Sequence, residues 1–296
     1  MKPAPFKYYA PRSTEEVLAY LAEYGDEAKV LAGGQSLVPT MNFRLAQPAV
    51  IIDLNRVNEL FYIRPENSKS LHIGAMTRQR EAERSSLVLD AAPLVYETMP
   101  YIAHPQIRNR GTIGGSVAHA DPAAELPAVM VALNARFLLR SESQERWMPA
   151  NEFYIDLFTT ALEPEELLVE IALPTLPPGS GWAFREIARR HGDYALVGVA
   201  AVVTLNDKKQ CQEARIVLVS VGNGPVQAHQ GVQMLLDHKP TAKAIRAAAE
   251  TAATKDIDPP CDMHASAEFR RHLTKLLTEQ ALTQAFERAK NLVVAS

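Results

Sequence analysis

Two widely separated glycine-rich segments constrain this chain more than any other feature. The first is Ala32-Gly33-Gly34-Gln35-Ser36-Leu37. The second is Gly111-Thr112-Ile113-Gly114-Gly115-Ser116-Val117-Ala118-His119-Ala120-Asp121-Pro122. Together they hold five of the 14 glycines. Glycine permits positive φ and removes the Cβ that keeps a ligand away from the backbone. Successive backbone N–H groups in such turns form concave nests that hold anions. Gln35, Ser36, Thr112 and Ser116 add short hydrogen-bonding side chains. Neither segment is a GxGxxG fingerprint, and neither is a P-loop, since no Gly-Lys-Ser/Thr follows. The residues alone therefore leave two readings: a pair of tight turns, or a phosphate-containing ligand held between two glycine loops.

The surrounding pattern places the first segment at a strand's end. Phe6 to Ala10 reads as a strand, and Ser13-Thr14-Glu15-Glu16 as an N-cap with acidic first-turn residues. Val17, Leu18, Leu21 and Ala22 recur at helical spacing, and Gly25 ends that helix. Lys29-Val30-Leu31-Ala32 and Val50 to Leu54 are further strands. From about residue 60 to 175 short strands alternate with helices, including a helix predicted over 122–134 with Asp121 as N-cap and Pro122 at its first position. Leu167 to Leu173 is a strand ended by Pro174, and the stretch from Thr175 to Gly181 reads as a linker. Strands at 182–187, 197–205 and 214–221 follow, the last two an antiparallel hairpin around Asn206-Asp207-Lys208-Lys209. Helices over 240–254 and 266–295 complete the chain, the second with Leu273, Leu277, Ala281 and Ala285 on one stripe. The fold class is α+β, divided into residues 1–176, with lobes 1–57 and 58–176, and residues 177–296.

Composition narrows the function. The chain has 296 residues, enough for two or three packed units, and 47% of them are hydrophobic. Its formal charge of -3, from 31 basic and 34 acidic residues, gives no footprint for nucleic acid. No apolar run reaches the roughly 18 residues of a membrane span. Met1 to Phe6 lacks the apolar core of a signal peptide, so the expected location is the cytoplasm. Cys211 and Cys261 are too few for an iron–sulfur cluster, which takes about four thiolates. The eight histidines show no metal-ligand spacing, so no metal site is expected.

Gly114-Gly115-Ser116-Val117-Ala118 nearly spells the nucleophile elbow of a hydrolase, with His119 and Asp121 nearby. The elbow needs its serine at a strand-to-helix turn, and the next helix is predicted only at Pro122. Three triad residues in six positions also cannot reach the required geometry. His104 and His119 could anchor a ligand covalently, but loop histidines more commonly hydrogen-bond backbone or line a pocket.

The pairing of AGGQSLVP at 32–39 with RNRGTIGGSVAHADPAAELP at 108–127 resembles the FAD-binding medium subunit of the molybdenum hydroxylase (xanthine dehydrogenase / carbon monoxide dehydrogenase) family. The resemblance covers nearly the whole chain, including Arg189 to Ala195. It implies a two-lobed FAD-binding domain of the PCMH (vanillyl-alcohol-oxidase-like) type, followed by a small antiparallel sheet and a helical C-terminal part. It assigns Leu31, Ala32, Gly33, Gly34, Gln35, Ser36 and Leu37 to the loop that grips the pyrophosphate, and Thr112, Gly115 and Ser116 to a second loop on phosphate and ribityl. Ser116 stands where many relatives have asparagine. Ile102 is implied against the flavin, Glu125 near the adenosine ribose, Leu162 against adenine or flavin, Arg185 near the flavin's polar edge, and Tyr194 on a loop over the isoalloxazine.

The same resemblance implies partners. A large molybdopterin subunit would oxidise the substrate, and a small subunit would relay electrons through [2Fe–2S] clusters to the FAD of this chain. An external acceptor would then take them, within a dimer of heterotrimers. The chain itself would contribute binding and tuning of the flavin, with no catalytic residue of its own. A stand-alone flavoenzyme acting directly on a small substrate is the alternative.

Overall fold

The computed structural model describes residues 2–67 and 69–294, whose strands form three larger sheets in succession along the chain and one two-stranded hairpin. The first unit comprises β1 (Lys7–Tyr9), α1 (Thr14–Tyr24), β2 (Ala28–Leu31), α2 (Leu37–Asn42) and β3 (Val50–Asp53). Its strands are parallel in the order β1-β3-β2, which brings the ends of β2 and β3 side by side. The hydroxyl of Ser13 accepts the Glu16 N–H at 3.2 Å, capping α1, and Gly25 closes that helix at φ 45. Val17, Leu18 and Leu21 then bury their shared face against Val50, Ile52 and Leu54.

The second unit runs through β4 (Ile63–Glu66), β5 (Ser70–Gly74), α3 (Gln79–Ala82), α4 (Ser86–Ala91), α5 (Pro93–Thr98), α6 (Pro105–Arg108), α7 (Ile113–His119), α8 (Glu125–Ala132), β6 (Arg136–Arg140), β7 (Glu145–Pro149), α9 (Ala150–Phe153), the hairpin β8 (Tyr154–Asp156) and β9 (Thr159–Thr160), and β10 (Leu167–Pro174). Five of these strands form an antiparallel sheet, β4-β5-β10-β6-β7. Period-two alternation sends Leu71 and Ile73 of β5 into the core beneath α5 and α8. His72, between them, faces the other way and bonds Glu170 at 2.7 Å.

The helix predicted over 122–134 with an Asp121 cap is corrected here. The chain builds two helices, and the first starts at Ile113, inside the second glycine segment. Thr112 is its cap, its hydroxyl accepting the Gly115 N–H at 3.0 Å. The missing Cβ of Gly114, which would lie 2.5 Å from Ala75 Cβ, lets α7 rest on the end of β5, where the Gly114 N–H donates to the Ala75 carbonyl at 2.8 Å. That cap and close approach override glycine's poor helix propensity. Ala120 at φ 50 ends α7, Asp121 turns the chain by accepting the Ala123 N–H at 2.9 Å, and α8 begins at Glu125. Ser116 therefore lies within a helix. The elbow geometry is absent because the helix starts before the serine, not because it starts late.

The third unit holds β11 (Ser180–Ala188), β12 (Ala195–Leu205), β13 (Cys211–Val219), β14 (Val226–Gln227), α10 (His229–Gln233), α11 (Ala242–Lys255) and α12 (Ala267–Val294). The sheet is antiparallel in chain order, and β12 is buried along its whole length. One face, with Phe184, Ala200, Val202, Val217 and Val219, joins the core of the second unit. The other lies under α11 and α12, where Leu273, Leu277, Ala281 and Ala285 form the stripe their spacing predicted. The whole is the expected α+β arrangement.

Candidate functional site

The two glycine segments meet backbone to backbone. A Cβ on Gly33 would stand 2.5 Å from the Arg110 carbonyl and 2.8 Å from Gly111 Cα, so only glycine allows the approach. Gly34 adopts φ 76, the left-handed region that favours glycine. A Cβ on Gly115 would come within 3.2 Å of Ala32. Around this junction Asn55 Nδ2 donates to the Ala32 carbonyl at 3.0 Å, and Arg78 donates to Asn55 Oδ1 at 2.6 Å and to the Arg110 carbonyl. A cavity of about 170 Å³ opens beside it, lined by Gly33, Gly34, Gln35, Asp53, Asn55 and Arg110 among others.

The segments present different chemistry. Among the described residues, the backbone N–H groups of Gly33, Gly34, Gln35, Ser36 and Leu37 have no protein partner, and the first one engaged is that of Val38, on the Gly34 carbonyl at 3.2 Å. Five consecutive free donors suit a diphosphate. In the second segment the N–H groups of Ile113, Gly114, Gly115 and Ser116 are already taken by Thr77 O, Ala75 O, Thr112 Oγ1 and Thr112 O. The expectation of an N–H nest in both loops is corrected to one nest, with α7 as its wall. The Thr112 hydroxyl is engaged in capping, whereas Ser116 and Gly115 are half-buried on the accessible side.

A second group surrounds the loop between β11 and β12. Gly192, at φ 78, lies against the preceding unit, since a Cβ there would be 2.8 Å from His104 Cε1 and 3.0 Å from the Ala103 carbonyl carbon. Ala103 itself takes φ 45, held by buried Arg108, which donates to the Ile102 and Ala103 carbonyls at 2.7 and 2.9 Å. The Ile102 carbonyl is thus fixed one residue before the segment that Gly192 touches. Arg189 and Arg190 pair with Asp193 at 3.1 and 3.6 Å, as their sequence suggests. Tyr194 is 65% exposed and is not part of the core. Its phenol is held above its ordinary pKa by partial burial and by the charges of Asp121, Glu125 and Asp193.

Glu125 opens α8 with only 7% of its surface exposed. Burial, with the charge of Asp121, pushes its carboxyl up to about 7, against the pull of Arg108. Of the remaining expected residues, Leu162 is half-buried just after β9 and packs on the second core. Arg185 alternates with Phe184 and Glu186 on β11, pairs with Glu97 at 3.7 Å and donates to the Phe184 carbonyl. Neither touches a glycine segment through these contacts. Leu31 to Leu37 and the segment Thr112 to Ser116 meet at Gly33 and Gly115, Tyr194 lies beside Glu125, and Ile102 is bonded to Arg108 through its carbonyl. Sequence reasoning missed Asn55, Arg78 and Arg110. Asn55 lies just past a strand end and Arg110 stands next to the second glycine segment, which were their signals; Arg78 had none, since strand order is not legible in sequence. No group of histidine, cysteine, aspartate or glutamate that could hold a metal occurs among the described residues.

The chain matches two family models: the FAD binding domain in molybdopterin dehydrogenase, over residues 4–176, and the CO dehydrogenase flavoprotein C-terminal domain, over residues 182–285. It is 43% identical to the 6-hydroxypseudooxynicotine dehydrogenase complex subunit alpha of Paenarthrobacter nicotinovorans, covering 98% of this chain and 97% of that protein. It is 39% identical to the caffeine dehydrogenase subunit beta of Pseudomonas sp. strain CBB1, covering 99% of each. Among solved structures, it is similar to a chain of the carbon monoxide dehydrogenase from Hydrogenophaga pseudoflava lacking the Mo-pyranopterin moiety, with a TM-score of 0.94 at 38% identity over 97% of this chain and 99% of that one. Quinoline 2-oxidoreductase from Pseudomonas putida 86 gives a TM-score of 0.92 at 36% identity, over 98% and 99%.

Proposed function

The chain belongs to the family of FAD-binding medium subunits of molybdenum-containing dehydrogenases, and from that premise we propose which of its residues hold the flavin and how it is placed in its complex. It is the FAD-carrying subunit of a heteromeric molybdenum hydroxylase, whose molybdenum cofactor and iron–sulfur clusters reside in other subunits. The stand-alone alternative gives way, because relatives matched along their whole length are themselves named as subunits or medium chains.

The run of free N–H donors from Gly33 to Leu37, walled by Gly115 and Ser116, carries the assignment of the site. These donors hold the diphosphate, with Leu31 and Ala32 leading the chain into the nest and Thr112 fixing the wall. Ile102, Glu125 and Tyr194 surround the remainder of the cofactor, and Leu162 and Arg185 lie at its periphery. When bound, FAD supplies redox chemistry that can join one-electron clusters to a two-electron acceptor. Electrons arrive from [2Fe–2S] clusters of a small partner subunit and leave to an external acceptor, in a dimer of heterotrimers. The division at about residue 176 separates the flavin-binding part from the C-terminal part. Two free cysteines and no disulfide among the described residues support a cytoplasmic location.

Gly34→Val, at a left-handed position, and Gly115→Val, facing Ala32 and the Thr112 hydroxyl, should each abolish flavin retention while the chain still folds. Absorbance and circular dichroism of the purified variants check this. Full FAD occupancy in Gly115→Val would refute the placement of α7 beside the cofactor. Acid precipitation should release all flavin from the wild-type chain, since no residue in the site is assigned a covalent link.

A further inference from the structure

Glu186 is a half-buried acid with its Oε2 shielded from solvent, and the flavin site as described does not use it. It lies on the face of β11 that carries Phe184 into the second core, opposite Gly198 in the sheet register. Gly198 contributes no side chain, so the position directly across the sheet from Glu186 is empty on that face. Gly198 in turn opposes Val219 of β13, and the next residue, Ser220, donates its N–H to the Pro122 carbonyl at 2.8 Å. This row of residues ties the Glu186 end of the sheet to the turn that starts α8 at Glu125. Glu186 Oε2 is buried and has no hydrogen-bond partner among the described residues. An ionised carboxylate left so would be costly, and a neutral one much less so.

We propose that Glu125 and Glu186 form a proton-holding carboxyl pair that presents both a donor and an acceptor to a hydroxyl of bound FAD, with Glu186 as a positioning residue for the cofactor. A hydroxyl needs both an acceptor for its proton and a donor to its lone pairs, and two carboxylates without a proton offer acceptors only. This rests on the FAD reading of the site. Burial and the charge of Glu125 push the Glu186 carboxyl up to about 9, which keeps it protonated at neutral pH. Glu125 is itself raised, and the groups facing it are Asp121 before α8, Arg108 of α6, Glu186 of β11 and Tyr194 of the following loop. His104, His119 and His191 stand on neighbouring segments. The diphosphate adds negative charge, so FAD binding favours the protonated pair, and affinity falls as pH rises through the range where Glu186 ionises.

The test is FAD binding to the flavin-depleted full chain between pH 6 and 10, followed by flavin fluorescence, for wild type and Glu186→Gln. One linked proton gives a loss of up to about tenfold in affinity per pH unit. Wild type should show that fall, and Glu186→Gln, which keeps a donor that cannot ionise, should show a flattened profile. A protonated-carboxyl infrared band in the wild-type chain that disappears on raising the pH supports the pair without any variant, and its absence at neutral pH overturns it. A wild-type profile without slope, or an equal slope in Glu186→Gln, also overturns the pair. Failure of the wild-type chain to bind FAD at any pH would instead overturn the flavin reading beneath it.

Discussion

Arg108 shows how one residue fixes a loop that sequence leaves free. It is 4% exposed, and its guanidinium is used twice: on the Ile102 and Ala103 carbonyls, and on both carboxylate oxygens of Glu83 at 2.9 and 3.0 Å. Removing it strands Glu83 and two carbonyls, so Arg108→Ala should cost about 3–5 kcal/mol of stability, read from denaturant unfolding. Burial alone would raise the Glu83 pKa, but bonds from Arg108 and Arg80 outweigh it and hold the carboxyl below its ordinary value. Its contribution is therefore present above the unfolded pKa and lost as pH falls through the folded one, and Arg108→Ala should weaken that acid dependence. Glu186 has the opposite sign. Its raised pKa means that the native chain binds more protons than the unfolded one between the ordinary carboxylate range and about 9, so stability declines as pH rises across that window. Glu186→Gln should melt above wild type at pH 8 and level with it at pH 5, in flavin-depleted protein followed by circular dichroism.

At the scale of elements, α12 and the loop after β11 make separate claims. A Cβ on Gly181 would lie only 1.9 Å from the Ala285 carbonyl, so the helix is seated on the sheet through a missing side chain. Ala281, Ala285 and Ala289 keep the same face of α12 shallow. Gly181→Ala should force the helix off and cost about 1–3 kcal/mol, seen as a lower thermal midpoint. The loop from Arg189 to Tyr194 is anchored at Gly192 and leaves its tyrosine outward beside Asp121 and Glu125. Tyr194→Ala should leave FAD affinity mostly intact, alter the flavin spectrum and speed reduction of bulky dyes. An unchanged spectrum together with unchanged acceptor preference would remove Tyr194 from the flavin.

For the whole molecule, the decisive property is dependence on partners. Cys211 is buried with its thiol pushed up to about 12 by burial, and Cys261 is a single exposed thiol, so the chain cannot build its own cluster relay. The isolated subunit should accept electrons from an artificial donor but not oxidise the substrate of its complex. Steady-state turnover of that substrate by the subunit alone would contradict the relay. Among the described residues, no helix is long and apolar enough to cross a membrane.

Several features were legible in the residues because they are local. The Ser13 cap, the alternation of Leu71 and Ile73, the α12 stripe and the Asp193 ion pairs all depend on neighbours a few positions apart. The glycine segments, by the same logic, offered a pair of tight turns or a ligand held between two loops as the two readings. Apart from the β12–β13 hairpin, what the sequence could not decide was which strand lies beside which, and the corrections trace largely to that. The parallel order β1-β3-β2 puts Asn55 beside Ala32, and the end of β5 beneath Gly114 turns a glycine loop into a helix. The sheet register sets Glu186 opposite Gly198. Such pairings unite residues far apart in the chain, where propensity and periodicity carry no information, and only the packed tertiary structure determines them.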